Sequence, residues 1–260
     1  MMNPMNTISP FDLLVAGSLV LVAVASSLAL QLGIARRLVV GAIRAVVQLV
    51  LIGLVLDRIF ALDRAWLVGT LLVLMVLFAG HEVVARSQRR YRAIRLDALL
   101  AMAVVGLGIG AVVTQAVVRV EPWYDPRYTI PLVGMILGNT LNGISLCLER
   151  VLEHLASRRS EVELRLAYGA TRREALTEPI ATAIRTGLVP VINSMAAVGL
   201  VFIPGMMTGQ ILAGADPMQA VAYQITVMFM LAASNALGAT LIAHLAAYRL
   251  LSEEGHLQQL

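Results

Sequence analysis

Long apolar runs alternate with short polar segments along the whole chain. Each run is close to the ~20 residues that an α-helix needs to cross the hydrocarbon core of a bilayer. The pattern therefore predicts an all-α polytopic membrane protein with about seven transmembrane helices. The predicted spans are residues 11–32, 38–56, 66–85, 96–118, 130–148, 187–203 and 218–248.

Composition favours the same fold class. Hydrophobic residues make up 59% of the chain and charged residues 14%, against roughly 45–50% and about 25% in soluble domains. No Ser-rich or Pro-rich linker divides the sequence. We therefore expect residues 1–260 to form a single transmembrane domain in contact with the lipid bilayer.

The arginines indicate the orientation. The segments after the first, third and fifth spans, with the C-terminal tail, hold most of them, whereas Arg58, Arg64, Arg119 and Arg127 lie on the other side beside acids. Because short cytoplasmic loops carry excess arginine, the N-terminus is predicted outside and the C-terminus inside. We expect a multi-pass protein of the cytoplasmic (inner) membrane. Topology accounts for the positive charge, so no nucleic-acid partner is expected.

The sequence lacks the residues that several kinds of catalytic and metal site require. All 20 basic side chains are arginine, so a P-loop, which needs a lysine on the phosphates, is excluded. The single Cys147 allows no intrachain disulfide and no cysteine-built metal cluster, and we expect it to pack in the interior. His81 and Glu82 lack the second histidine of the metalloprotease helix. An enzyme is not expected.

The longest polar segment, residues 149–180, is predicted to lie in the cytoplasm. Thr171 and Glu174 have the spacing of a capping box, so a helix should start at Thr171, with Gly169 permitting the turn before it. The segment is then helix, tight turn and helix. Pattern alone leaves open whether it is a solvated helix, lies on the lipid surface or binds a protein.

Two sets of motifs carry a resemblance. Glu163, followed six residues later by Gly169-Ala170-Thr171, resembles the coupling loop of ABC-transporter permeases. A longer string resembles the FetB-type permeases, described as iron exporters. It comprises Val198-Gly199-Leu200, Pro204-Gly205-Met206-Met207-Thr208-Gly209, Ala213-Gly214, Asp216-Pro217 and Tyr223-Gln224-Ile225, with Arg44, Gln48, Gly134-Met135 and Gly138-Asn139 upstream.

This resemblance implies the permease subunit of an ATP-driven ABC transporter that exports iron or another metal by alternating access. It implies a permease homodimer and a cytoplasmic ABC ATPase subunit as partners, with ATP and Mg on the ATPase and no cofactor bound by this chain. Plant relatives suggest a sugar nucleotide as an alternative cargo. The residues implied for the ATPase-docking loop are Glu163, Tyr168, Gly169, Ala170, Thr171, Arg172 and Glu174.

Polar groups inside spans are costly and usually face the interior, which makes them candidates for a transport pathway. Arg44 has an equal alternative, since it lies within reach of the cytoplasmic face and could snorkel. The asparagines suit interhelical hydrogen bonds, and the methionines suit packing better than iron binding. Metal ligands stay unknown. The candidates are Arg44, Gln48, Asn139, Asn142, Asn193, Pro204, Gly205, Met206, Met207 and Gly209.

Two other functions remain open. A secondary transporter driven by an ion gradient could use Arg44, Asn139 and Asn193, although we find no inverted repeat. A membrane scaffold would need the cytoplasmic segment but none of the polar intramembrane residues. The segment 204–217 is either a loop or a re-entrant segment.

Overall fold

The computed structural model describes residues 9–251, and the chain divides into two compact units between Leu62 and Asp63. The first unit holds α1 (Pro10–Ala29) and α2 (Ala35–Leu62). A capping box starts α1, because the Ser9 hydroxyl accepts from the Asp12 amide at 3.3 Å and the Asp12 carboxylate accepts from the Ser9 amide at 2.8 Å. Both helices expose long apolar faces, as expected of helices in contact with lipid.

The second unit contains seven helices among its described residues. They are α3 (Ala65–Arg86), α4 (Ile94–Val117, with π-helical stretches at Val104–Ile109 and Val113–Val117), α5 (Pro126–Ser157), α6 (Arg159–Ala167), α7 (Arg172–Ala197), α8 (Gly205–Leu212) and α9 (Pro217–Leu250).

Seven helices of the described chain are long and apolar enough to cross a membrane, namely α1 to α5, α7 and α9. The predicted fold class is therefore confirmed: an all-helical membrane protein with seven candidate spans.

The helix ends differ from the predicted spans. Asp57 and Arg58, which follow the predicted end of the second span at residue 56, lie inside α2. The helix continues to Leu62 because neither Gly nor Pro intervenes. Likewise α5 extends to Ser157, well beyond residue 148. The sixth span, expected at 187–203, is the C-terminal part of α7, which begins at Arg172 and ends at Ala197. Hydropathy marks the apolar part of a helix, whereas polar residues can continue the same helix into water.

The interior of the second unit is built where α5, α7 and α9 cross at small residues. A Cβ added to Gly187 of α7 would lie 2.7 Å from the carbonyl oxygen of Gly143 of α5. Close to the same crossing, the Cys147 thiol donates to the carbonyl of Ala239 at 3.3 Å. Such contacts let backbones approach closely, which is how helices associate in lipid. Cys147 is buried, as the packing interpretation predicts.

Candidate functional site

A cavity of about 460 Å³, which we call the central cavity, lies among α5, α7, α8 and α9. Its walls combine amide, hydroxyl and thioether groups with apolar side chains, and none of its lining residues carries a charge. The lining residues are Met135, Asn139, Asn142, Pro190, Val191, Ser194, Phe202, Ile203, Pro204, Gly205, Met206, Gln224, Val227, Met228, Leu231 and Asn235.

Three asparagines of this central cavity are held by different partners. The Asn139 amide donates to the Met135 carbonyl at 2.9 Å, and that of buried Asn235 donates to the Leu231 carbonyl at 2.8 Å. The Asn142 side-chain oxygen accepts from the Arg86 guanidinium at 2.7 Å. Both of these bonds use the side-chain nitrogen as donor and return to the helix that carries the asparagine. The side-chain oxygens of Asn139 and Asn235 therefore retain accepting capacity.

The cavity gathers half of the candidate pathway residues. Asn139, Asn142, Pro204, Gly205 and Met206 line it. The other candidates lie elsewhere: Met207 lines a neighbouring cavity, Gly209 and Asn193 are exposed and line neither cavity, and Arg44 and Gln48 belong to the first unit. A role of any of these residues in transport stays a prediction.

Three polar lining residues were not among the candidates: Ser194, Gln224 and Asn235. Gln224 and Asn235 are both buried polar residues of α9, separated by about three helical turns and hence on one face. Two polar residues at this spacing within an apolar run indicate a shared polar face, so the sequence could have identified them. The sequence alone could not single out Ser194, because the adjacent Asn193 is polar as well.

A second cavity of about 520 Å³ adjoins the first and is almost wholly apolar. The two cavities share Ile203, Pro204, Gln224 and Met228. Met195, Met207 and Met228 line the apolar one. Methionine suits an irregular cavity wall because its side chain is unbranched and flexible. Among the described residues, no group of three or more His, Cys, Asp or Glu side chains could hold a metal ion.

The predicted helix, turn and helix after α5 is confirmed as α6 and the start of α7. Thr171 and Glu174 form the capping box: the Glu174 carboxylate accepts from the Thr171 amide at 2.7 Å, and the Thr171 hydroxyl accepts from the Glu174 amide at 3.3 Å. Gly169 has a φ of +89°, which favours glycine. We call residues 159–178 the hairpin.

Ion pairs brace the hairpin. The Arg165 guanidinium of α6 lies 2.7 Å from Glu161 on its own helix and 2.8 Å from Glu178 on α7. The hydrogen bond to Glu178 raises the pKa of Arg165, and the charge of Glu161 adds to that shift. Exposed pairs of this kind contribute little to stability, but a network across two helices fixes their relative orientation.

The hairpin tip surrounds an open surface groove of about 610 Å³. Of the candidate docking residues, Tyr168, Gly169, Ala170 and Glu174 line it, together with Glu161, Leu164 and Arg165. Tyr168 is 85% exposed and Leu164 56% exposed, so the groove presents apolar surface beside charges. Such a combination suits a protein partner.

Two candidate docking residues make contacts outside the groove. Glu163 pairs with Arg159 at 2.8 Å and lies outside the groove lining. The Arg172 guanidinium donates to the backbone carbonyls of Tyr248, at 2.9 Å, and Leu251, and it lies 5.6 Å from the centroid of the Tyr248 ring. Arg172 therefore ties the hairpin to the end of α9.

Comparison with known proteins places the chain in a family. A family model described as "Uncharacterised protein family (UPF0014)" matches residues 10–251. The chain belongs to the UPF0014 family. The expected resemblance to the FetB-type permeases is confirmed, because one relative is the "Probable iron export permease protein FetB" of Escherichia coli, 34% identical over 95% of this chain and 93% of that protein.

Two further relatives come from Synechocystis and Arabidopsis thaliana. The "UPF0014 membrane protein slr1647" of Synechocystis is 41% identical over 75% of this chain and 75% of its own length. "Protein ALUMINUM SENSITIVE 3" of Arabidopsis thaliana is 32% identical over 82% of this chain and 76% of its own length. No solved structure matches the chain. One of these relatives is named a membrane protein and another a permease, which agrees with a multi-pass transport protein.

Proposed function

We propose that this chain is the permease subunit of an ATP-driven ABC transporter, working as a homodimer with two copies of a cytoplasmic ATPase. ATP and Mg bind to the ATPase, and the groove at the hairpin tip receives that subunit. In this scheme the N-terminus is outside and the C-terminus is in the cytoplasm, because the hairpin and the other arginine-rich segments then share the cytoplasmic side.

The continuity of α7 is the observation that carries this proposal. Glu174, in its first turn, lines the groove, and Ser194, near its end, lines the central cavity. The two residues are about 30 Å apart at the rise of an α-helix. The helical run is unbroken between the two sites although it contains Pro179 and Pro190. A push on the hairpin would therefore move the cavity wall, as alternating access requires.

The proposed cargo is iron or another metal, after the printed name of the Escherichia coli relative. The central cavity offers amide, hydroxyl and thioether groups without carboxylates. Such a site would hold a metal loosely, and transport needs a cargo that can leave as well as enter. A sugar nucleotide is the second candidate cargo: its phosphates would pair with the Arg86 guanidinium, which donates to the lining residue Asn142.

The test combines association with transport. The chain is co-expressed with a candidate ABC ATPase subunit from the same genome, purified, and reconstituted in liposomes with and without ATP. Tyr168→Asp should abolish both co-purification and ATP-dependent transport of ferrous iron, because it replaces the exposed aromatic surface of the groove with a third carboxylate. The matched control is Tyr128→Asp, an exposed tyrosine in the first turn of α5.

Tyr128→Asp should leave association and transport unchanged. Iron transport that persists without the ATPase would contradict the proposal and favour an ion-gradient transporter. ATP-dependent transport of a UDP-sugar, with none of iron, would retain the ABC mechanism and replace the cargo.

A further inference from the structure

A basic cleft lies on the same unit, away from the central cavity and the hairpin groove. It has a volume of about 540 Å³ and is lined by Tyr91, Arg92, Ala93, Arg95, Leu96 and Arg249. The loop before α4 and the first residues of that helix supply the first five, and the end of α9 supplies Arg249. Three of its six lining residues are arginines, and none is acidic.

Charge in this cleft is only partly compensated within residues 9–251. Arg249 lies 2.8 Å from Asp97, which is fully buried beneath the cleft. Arg92 and Arg95 are exposed, and neither has an ion-pair partner in the part of the chain that the structure describes. The cleft thus holds three guanidinium groups, of which one pairs with a buried carboxylate. The surplus favours an anion with several acceptor oxygens.

An exposed apolar stripe runs down α4 from this cleft. Leu96 belongs to the cleft lining, and Leu100 and Val104 follow at intervals of four residues, so the three share one helix face. They are 51%, 41% and 54% exposed, respectively. Basic side chains at the head of such a stripe match a phospholipid, whose phosphate adjoins its acyl chains.

We propose that the cleft binds the headgroup of an anionic phospholipid, with an acyl chain along Leu96, Leu100 and Val104. The phosphate lies among Arg92, Arg95 and Arg249, because guanidinium groups pair with phosphate oxygens through two parallel hydrogen bonds. The lipid then bridges the start of α4 to the end of α9. A soluble phosphate would satisfy the arginines but would leave the apolar stripe unused.

The test measures lipid selectivity in the purified full chain. The protein is equilibrated in mixed micelles with equal amounts of phosphatidylglycerol and phosphatidylcholine, and native mass spectrometry counts the lipids retained. Wild type should retain phosphatidylglycerol preferentially. Arg92→Gln with Arg95→Gln should lower that preference, by about fivefold for each arginine removed, the effect of one arginine close to an anionic surface. Arg249 stays unchanged because it also pairs with Asp97.

The matched control is Arg89→Gln with Arg90→Gln, which removes the same charge from exposed residues of the same loop that do not line the cleft. This control should keep the wild-type preference. An equal loss in both double variants would overturn the proposal in favour of general surface charge, as would a wild type without any preference. Displacement of the lipid by inorganic phosphate at equal concentration would overturn it in favour of a soluble anion.

Discussion

The guanidinium Nε of Arg249, at the end of α9, lies 2.8 Å from Oδ1 of Asp97, in the first turn of α4. Asp97 has no exposed surface, whereas the Arg249 side chain is 42% exposed. Oδ1 accepts no well-aligned hydrogen bond, so the contact is chiefly an attraction of charges. The other carboxylate oxygen accepts from the Tyr91 hydroxyl at 2.7 Å. Burial raises the pKa of Tyr91, and the bond to Asp97 raises it further, so this hydroxyl stays protonated.

Arg249→Gln should destabilise the protein by about 2–3 kcal/mol, since it leaves a buried carboxylate with Tyr91 as its main partner. Asp97→Asn in the same chain should recover part of that loss, because the buried charge is then gone. Thermal unfolding in detergent, followed by circular dichroism, measures both. Arg92→Gln is the control: it is exposed, and its effect should stay within about 0.5 kcal/mol. A double variant no more stable than Arg249→Gln would contradict this account of the pair.

The crossing of α5 and α7 should not accept even one methyl group. In Gly187→Ala the new Cβ would lie 2.7 Å from the Gly143 carbonyl oxygen and 2.9 Å from the Cys147 Cβ. Neither atom is the end of a flexible side chain, so the helices must separate, at a cost of about 1–3 kcal/mol or more. Retention of the folded protein on size-exclusion chromatography during heating measures the loss.

Gly138→Ala is the control for that crossing, since a Cβ added there meets nothing within 4 Å. Alanine favours a helix over glycine by roughly 0.5–1 kcal/mol, so this variant should be as stable as wild type or more stable. Equal stability of Gly187→Ala and Gly138→Ala would contradict the close approach of α5 and α7 at Gly187.

The sequence best predicts those structural features that residues close together in the chain determine. Apolar runs give the number of candidate spans because bilayer thickness sets their length, and the capping box at Thr171 and Glu174 is formed by neighbours in sequence. The central cavity depends on how four helices are rotated against each other, which no single run specifies. One position along a helix is a turn of about 100°, enough to put Ser194 in the cavity and Asn193 outside it.

These two neighbours give the sharpest test of the cavity as the transport pathway. Ser194→Leu introduces a large apolar side chain into a cavity of about 460 Å³ and removes one of its few polar groups. We expect ATP-dependent cargo transport to fall at least tenfold, while the ATPase still co-purifies because the hairpin groove is intact. Asn193→Leu makes a comparable change on the exposed side of the same turn and should retain most of the transport. If the two effects were reversed, Asn193 would face the pathway, as the sequence predicted, and the cavity would lose its proposed role.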